Sequence, residues 1–275
     1  MLDVILLFRE SLFGALIIAL GCSVLGVYIV LRRIVFVGAA LAQLSSAGVA
    51  LAIFLGALGL GGPLRHELLL SLLAALAGVV FFALHGERYR VPPDAGLGVA
   101  YVAAGAAGVL LIARAAGADV HDLFLEGNIL GISRGENLLL LGVVGTVIAT
   151  HALLAKEFVF ISFDPEMART LGYRVRLWTL VLYLTFGVVI AVAIRSAGVL
   201  LVFDFLVLPA VTGLLLGRSL RGVFAWAIAS GAAAALIGFA ASVPFDLPTG
   251  PAMIAASTLL LACAWLAALP LRRNT

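Results

Sequence analysis

Residues 11–31 read SLFGALIIALGCSVLGVYIVL and contain no charged side chain. A helix rises about 1.5 Å per residue, so about 20 apolar residues cross a hydrocarbon core of about 30 Å. Similar runs recur along the 275-residue chain, which is 64% hydrophobic and 11% charged, against roughly 25% charged in soluble domains. This composition excludes a water-soluble domain and predicts an all-α, polytopic bundle of membrane helices.

The apolar runs divide the chain into nine predicted transmembrane helices. Their connections are mostly too short to fold separately, so we expect one transmembrane domain over residues 1–275. The predicted spans cover residues 11–31, 38–60, 67–85, 94–112, 136–155, 177–194, 197–217, 222–241 and 250–270.

The basic residues are distributed unequally between the two sides that nine spans define. By the positive-inside rule, the richer side faces the cytoplasm. The sequence therefore predicts a multi-pass protein of the plasma (inner) membrane with its N-terminus outside and its C-terminus in the cytoplasm, and no nucleic-acid partner. The richer side takes Arg32, Arg33, Arg88, Arg90, Lys156, Arg169, Arg174, Arg176, Arg218, Arg221, Arg272 and Arg273, and the other takes Arg9, Arg65, Arg114, Arg134 and Arg195.

The predicted cytoplasmic loop at about residues 156–176 contains FDPEMARTLG, residues 163–172. Asp164 is suited to cap a helix, and Pro165 fits the first helical position, where no N–H is needed. Glu166 favours the positive end of the helix dipole, and Gly172 suits a left-handed stop. The pattern predicts a helix of about two turns outside the membrane, which is either a connector or a docking element for a cytoplasmic partner.

A nucleotide-binding loop of the form GxxxxGK[ST] is absent from the sequence. Its lysine is needed to reach the phosphates, and Lys156, the one lysine in the chain, follows Ala155 without a glycine-rich approach. We therefore expect a transport subunit rather than an enzyme, in which any ATP drive comes through a partner.

Four segments in this order carry a resemblance to a known family: LFLEGNILGIS at 123–133, FDPEMARTLG at 163–172, LVFDFLVLPA at 201–210 and LPTGP at 247–251. They resemble the LFGNILAVS, FDPExAxxLG, LLVxxLLxLPA and LPSGA segments of the membrane permeases of ATP-binding cassette (ABC) importers for zinc, manganese and ferrous iron, the ABC-3 family. The resemblance extends from one end of the chain to the other.

The resemblance implies a homodimer of permeases in the lipid bilayer, with cytoplasmic ABC ATPases and an extracytoplasmic substrate-binding protein as partners. It implies a divalent metal ion as substrate and no cofactor bound directly, since ATP acts through the partner. The positions that match the family's ATPase-coupling segment are Asp164, Pro165, Glu166, Ala168, Leu171 and Gly172.

The second predicted span departs from the family pattern. Where the family has Asp-Ala-Leu-Ser-His-Ala, this chain has Ala39 in place of the aspartate and Gln43 in place of the histidine. The nearby candidates for the substrate path are Gln43, Ser45 and Ser46, and an amide with two hydroxyls is a poor zinc site. Either this chain handles metal differently, or its substrate differs.

Asp204 is the one charge in the interior of a predicted apolar run rather than at its end, and an acid there is costly unless paired, protonated or hydrated. It is either a metal ligand on the substrate path or a protonated acid bonded to a neighbouring helix. An outer loop adds metal-binding side chain types, and this group either attracts metal, contacts a binding protein or is simply solvated. It consists of Asp119, His121, Asp122 and Glu126.

Alternative functions remain open from the sequence. An ABC permease for a non-metal substrate fits the changed second span. A secondary transporter would carry several intramembrane charges and broken helices in both halves, and an intramembrane enzyme would need a catalytic pair. His151, near the end of the fifth span, is expected to be a packed residue rather than a ligand.

Overall fold

The computed structural model describes residues 8–59, 66–85, 93–115, 129–242 and 244–269. Across these ranges the chain is helical and contains no strand, as the composition predicted. A short 3-10 turn, Ile129–Gly131, precedes the fifth helix. The helices are α1 Arg9–Leu31, α2 Val35–Ala57, α3 Glu67–His85, α4 Pro93–Ala115, α5 Arg134–Leu153, α6 Ala155–Phe163, α7 Pro165–Thr170, α8 Val175–Leu216, α9 Leu220–Ser242 and α10 Thr249–Ala268.

Seven of the described helices are long and apolar enough to cross a membrane, and the apolar part of α3, Glu67–Ala83, is shorter. Helix α8 has 42 residues, which at about 1.5 Å per residue is about twice the thickness of a hydrocarbon core. Its backbone leaves the helical region at Gly198, where φ is 76° and ψ is 169°. Glycine suits this position because a residue with a Cβ atom would be strained at this positive φ.

The first segment of α8 runs from one end of the bundle to the other. Near its start, Thr179 accepts a 3.1 Å hydrogen bond from Arg32, which follows α1. Near Gly198, Arg195 forms an ion pair with Glu136 in the first turn of α5. We call the end of the bundle that holds α6 and α7 the α7 face, and the opposite end the Arg195 face.

The second segment of α8 returns to the α7 face. Beyond Gly198, Ala210 packs in a buried cluster with Val27, near the end of α1. Gly26 of α1 also lies directly against the backbone carbonyl of Leu206, where a Cβ would collide. The chain therefore reverses at Gly198, and α8 is a helical hairpin with a one-residue turn.

The approximate number of nine spans predicted from the sequence agrees with the described helices. Helices α1–α5, the two segments of α8, α9 and α10 make nine segments. The predicted cytoplasmic loop differs in structure from the prediction, because helix α6 occupies its first part. Phe158 and Ile161 on α6 are fully buried against the bundle, so their burial stabilises a helix where only a connection was predicted.

Candidate functional site

Helix α7 begins with the cap that the sequence predicted. The Oδ1 atom of Asp164 accepts a hydrogen bond of 2.8 Å from the backbone N–H of Met167. Pro165 occupies the first helical position, and Glu166 lies in the first turn. These interactions satisfy or remove backbone donors that a helix leaves free at its start.

Helix α7 ends at a glycine with a left-handed backbone. Gly172 has φ of 87°, and its N–H donates to the carbonyl of Arg169 at 3.1 Å. The next N–H, of Tyr173, donates to the carbonyl of Ala168 at 3.0 Å. This pair of bonds is the Schellman motif, which closes a helix firmly, so α7 is a short element with two fixed ends.

The segment from Phe163 to Leu171 has one side that faces the bundle and one side that is exposed. Ala168 is fully buried against the bundle, whereas Phe163, Met167 and Leu171 are 61%, 54% and 61% exposed. Leu177, at the start of α8, is also exposed. We call Phe163, Met167, Leu171 and Leu177 the docking surface. Clustered exposed apolar side chains usually mark an interaction site.

A surface groove of about 510 Å³ adjoins the docking surface. Its walls combine apolar side chains with the backbone turn that ends α7 and with one guanidinium group. The lining residues are Leu171, Gly172, Tyr173, Arg174, Leu177, Trp178 and Val181.

Ser45, a predicted path residue, joins helices within the bundle. Its Oγ lies 2.6 Å from the Oγ of Ser71 on α3, and Ser71 donates its hydrogen to the carbonyl of Ala191 on α8 at 3.2 Å. Ser45 must therefore be the donor to Ser71. This pair of hydroxyl groups links α2, α3 and α8, and both serines are fully buried.

The other polar residues of the second span are placed differently. Ser46 is buried, and its hydroxyl oxygen has no hydrogen-bond partner among the described residues. The Gln43 amide is half-buried beside Gly105 of α4. Ala39 is buried and offers no ligand atom. Of these, Ser46 and Gln43 keep polar atoms available for a solute between the helices.

Asp204 lies inside the bundle, as the sequence predicted, on the second segment of α8. It is 3% exposed, and the hydroxyl of Ser257 on α10 is its polar neighbour. Neither carboxylate oxygen has a partner of hydrogen-bonding geometry among the described residues. Asp204 is therefore not bonded to Gln43, Ser45 or Ser46, and the Ser257 hydroxyl is the group placed to interact with its carboxylate.

The described ranges hold no group of three or more His, Cys, Asp or Glu side chains able to bind a metal ion. The predicted outer cluster of Asp119, His121, Asp122 and Glu126 lies outside the described residues. His151 is packed, in agreement with the prediction, since it is buried and its ring stacks on Phe158.

The sequence reasoning missed an ion-pair network on the Arg195 face. Arg195 contacts Glu136 at 3.1 Å and Glu67, the first residue of α3, at 3.5 Å. Glu136 also forms a capping box with Ser133. The Ser-x-x-Glu spacing of Ser133 and Glu136 was a usable sequence signal, but the meeting with Arg195 depends on the fold.

The comparisons with known proteins agree with this architecture. The chain is 30% identical over 263 residues to the manganese transport system membrane protein MntC of Halalkalibacterium halodurans, covering 94% of this chain and 86% of that protein. It is 28% identical over 246 residues to a probable iron transport system membrane protein of Haemophilus influenzae, covering 90% and 88% of the two chains.

The fold also matches a solved structure. PsaBC from Streptococcus pneumoniae, in complex with a Fab, superposes with a TM-score of 0.82 at 22% identity, covering 96% of this chain and 94% of that one. The model of the ABC 3 transport family matches residues 5–268. The chain is therefore a polytopic membrane protein of the ABC 3 transport family.

Proposed function

We propose that this chain is the membrane permease subunit of an ATP-driven importer for a divalent transition metal ion. The docking surface carries the proposal, because it presents exposed apolar side chains on and beside α7, a capped helix in the connection between two spans. The names of the relatives, which specify manganese and iron transport, support a metal ion as the substrate. ATP would act through a separate subunit, and the chain itself would bind no cofactor.

The α7 face is the side on which we place the ATPase. Among the described residues, this face holds most of the basic side chains, either between helices or near helix ends, which favours a cytoplasmic orientation. The N-terminus would then lie outside and the C-terminus in the cytoplasm. The basic residues of this face are Arg32, Arg33, Lys156, Arg169, Arg174, Arg176, Arg218 and Arg221.

The geometry of the segment from Asp164 to Gly172 supports a coupling role. Leu171 and the first-turn Glu166 face solvent, where a partner can contact them. Ala168 faces the bundle instead, so its role would be to seat the helix. A rigid helix is suited to this task because it transmits a displacement of its partner with little bending.

A matched pair of variants at Gly172 tests ATPase docking. Valine is strained at a positive φ, whereas asparagine tolerates it, so Gly172→Val should reduce ATPase copurification and Gly172→Asn should retain it. Glu166→Ala should weaken copurification and transport-coupled hydrolysis while the bundle stays folded. Unchanged copurification and hydrolysis with Gly172→Val and Glu166→Ala would exclude the docking role.

A second permease copy and an extracytoplasmic binding protein complete the proposed assembly. Nine segments without an internal repeat supply half of a two-fold pathway, and two-fold closure is the commonest way to complete one. The mass of the complex in native lipid, with the ATPase bound, should correspond to two copies of this chain. A single copy that still transports would contradict this arrangement.

We propose that Asp204 contributes a fixed negative charge to the metal path, with Gln43, Ser45 and Ser46 as further polar groups. An ionised carboxylate lowers the barrier for a cation in a low-dielectric interior, and a neutral amide of similar shape does not. We expect Asp204→Asn to reduce Mn²⁺ uptake by about tenfold, which corresponds to about 1.4 kcal/mol in the barrier. Assembly and ATPase activity without substrate should be unchanged.

A control at Ser257 separates charge from packing. Ser257→Ala removes the neighbouring hydroxyl but keeps the carboxylate, so it should affect uptake less than Asp204→Asn. Full uptake by Asp204→Asn, in cells without another importer, would remove Asp204 from the path. The outer residues Asp119, His121, Asp122 and Glu126 remain a predicted metal-attracting group, to be tested by replacing all four with alanine.

One observation favours a second candidate, an ABC permease for a non-metal substrate. Ala39 and Gln43 stand where the resemblance predicts an acid and an imidazole, and Gln43 offers an amide to its surroundings. Metal content of cells with and without the chain distinguishes the two candidates. Equal manganese, iron and zinc contents under metal limitation would favour the non-metal substrate.

A further inference from the structure

Rings from five helices meet where α6 packs on the bundle. We call Tyr28, His151, Phe158, Trp178 and Phe224 the aromatic junction. Phe158 of α6 lies at its centre and is fully buried. Its ring centroid is 4.6 Å from that of His151, 5.8 Å from that of Trp178 and 6.2 Å from that of Tyr28.

Tyr28 extends the junction across α1. Its ring centroid lies 4.9 Å from that of His151 on α5 and 5.3 Å from that of Phe224 on α9. Through these contacts, α6 reaches α1, α5, α8 and α9 by one connected set of rings. Edge-to-face and offset arrangements of this kind have preferred geometries, so they resist sliding.

His151 fixes the junction to α8 by a directed hydrogen bond. Its Nε2 lies 3.0 Å from the Oγ1 of Thr185, and that hydroxyl donates its hydrogen to the carbonyl of Leu182 at 2.7 Å. Nε2 must therefore carry the proton and donate it to Thr185. The bond holds the imidazole plane, which stacks on Phe158 at an interplanar angle of 28°.

Helix α6 is also tied to the docking surface. Only Asp164 separates the end of α6 from the start of α7. Phe160 of α6 packs edge-on against Tyr173, just beyond α7, with ring centroids 5.5 Å apart. Helix α6 is thus connected to α7 at its start, through Asp164, and just beyond its end, through Tyr173. A displacement of α7 therefore displaces α6.

We infer that Phe158 and His151 are the positioning residues that transmit movement of the docked ATPase to the transmembrane helices. This inference rests on the proposed function. Close-packed interiors transmit strain rather than absorb it, and the junction connects α6 with four membrane helices at the α7 face. Both residues are buried inside the bundle rather than on the docking surface, so we expect their loss to separate ATP hydrolysis from transport without preventing docking.

The test uses two phenylalanines of the same short helix. Phe158 is buried in the junction, whereas Phe163 is exposed on the docking surface. The importer, purified with its ATPase and reconstituted in vesicles with its binding protein, gives three readouts: ATPase copurification, ATP hydrolysis and Mn²⁺ uptake. We expect Phe158→Ala to lower the number of ions taken up per ATP by about tenfold with normal copurification. Phe163→Ala should instead reduce copurification.

Two variants of His151 remove its ring and its hydrogen bond to Thr185 separately. His151→Gln keeps an N–H donor near Thr185 but loses the ring, and His151→Phe keeps the ring but loses the donor. We expect the ratio of ions to ATP to fall in both variants, because both stacking and the bond to Thr185 hold the ring in place. Phe158→Tyr, which retains the ring, should preserve most of the wild-type ratio.

The outcomes distinguish the inference from the proposed function. If no ATPase copurifies with the unaltered chain, the proposed function and the inference both fail. If the ATPase copurifies and Phe158→Ala keeps the wild-type ratio, the inference alone is wrong. If Phe158→Ala does not fold, Phe158→Leu, which keeps more of the apolar volume but has no ring, takes its place, and an unchanged ratio in that variant overturns the inference.

Discussion

The two ends of the bundle are held together by different interactions. At the α7 face, helices are joined through Phe158, a fully buried ring with aromatic neighbours. At the Arg195 face, Arg195 joins α3 and α5 through Glu67 and Glu136, with side chains that are 30–43% exposed. Both ends connect several helices, but one excludes water and the other does not.

This difference sets how easily each end separates. Partly exposed ion pairs contribute little to stability and weaken further in salt, whereas buried ring packing is insensitive to salt and costly to remove. The ion pairs of the Arg195 face can therefore break at low energetic cost, whereas the ring packing of the α7 face resists separation. In the proposed importer, breaking these ion pairs would add little to the energy needed to open the Arg195 face.

The largest expected effect is at Phe158. Removing a fully buried phenylalanine ring should lower the free energy of unfolding by about 3–5 kcal/mol. Phe163→Ala is the matched control, and because its side chain is largely exposed, its effect should be small. Thermal unfolding of both variants in detergent measures the difference, and equal midpoints would show that the α7 face is not held by its buried ring.

Gly198 tests whether the backbone turn, rather than the ion pairs, holds the Arg195 face. Gly198 has φ of 76° and ψ of 169°, a conformation that strains residues with a Cβ. Gly198→Ala should therefore lower the free energy of unfolding by about 1–3 kcal/mol. Gly145→Ala serves as the control, since nothing lies near its added Cβ. Stability in detergent is the measurement. A harmless Gly198→Ala would mean that the hairpin does not depend on this conformation.

The cap of α7 should have a smaller and local effect. Asp164→Ala removes the acceptor for the Met167 N–H. This loss should destabilise α7 by about 1 kcal/mol. Amide hydrogen exchange at Met167 should therefore accelerate, while exchange in α8 stays unchanged. Asp164→Ser retains an acceptor and should restore protection. Equal exchange in the alanine and serine variants would show that the cap contributes nothing to α7.

The smallest effect is expected at Arg195. Arg195→Gln should lower the free energy of unfolding by about 0.2–1 kcal/mol at low salt, and the loss should shrink as ionic strength rises. Arg9→Gln, whose partner Glu10 is its sequence neighbour at 3.7 Å, should change stability less. A loss at Arg195 that persists unchanged in high salt would indicate packing rather than charge.

Local rules in the sequence predicted the spans and α7 well. Charge-free runs define the helices because burial in lipid depends mainly on composition, and the cap of Asp164 and the stop at Gly172 depend on residues only a few positions apart. The boundaries shifted by a few residues, as at α5, which begins after the cap Ser133.

Contacts between distant residues were not predictable from the sequence. Phe158 and Tyr28 are far apart in the chain, and nothing in their local sequence indicates that their rings meet. The burial of Asp204 was predicted from its apolar run, but its neighbour Ser257 was not. The bond between Ser45 and Ser71 also required the packing of α2 on α3.

The one-residue turn at Gly198 bears on how the chain enters the membrane during synthesis. A turn this short leaves no polar loop that could be translocated separately, so the two segments of α8 must be inserted as a pair. An acid at the centre of an isolated helix meets an insertion cost of about 2.5–3.5 kcal/mol, and Asp204, about a third of the way along the second segment, meets part of that cost. The first segment of α8 is strongly apolar and is synthesised immediately before the second. Its insertion would offset the cost of placing Asp204 in the bilayer before the later helices are made.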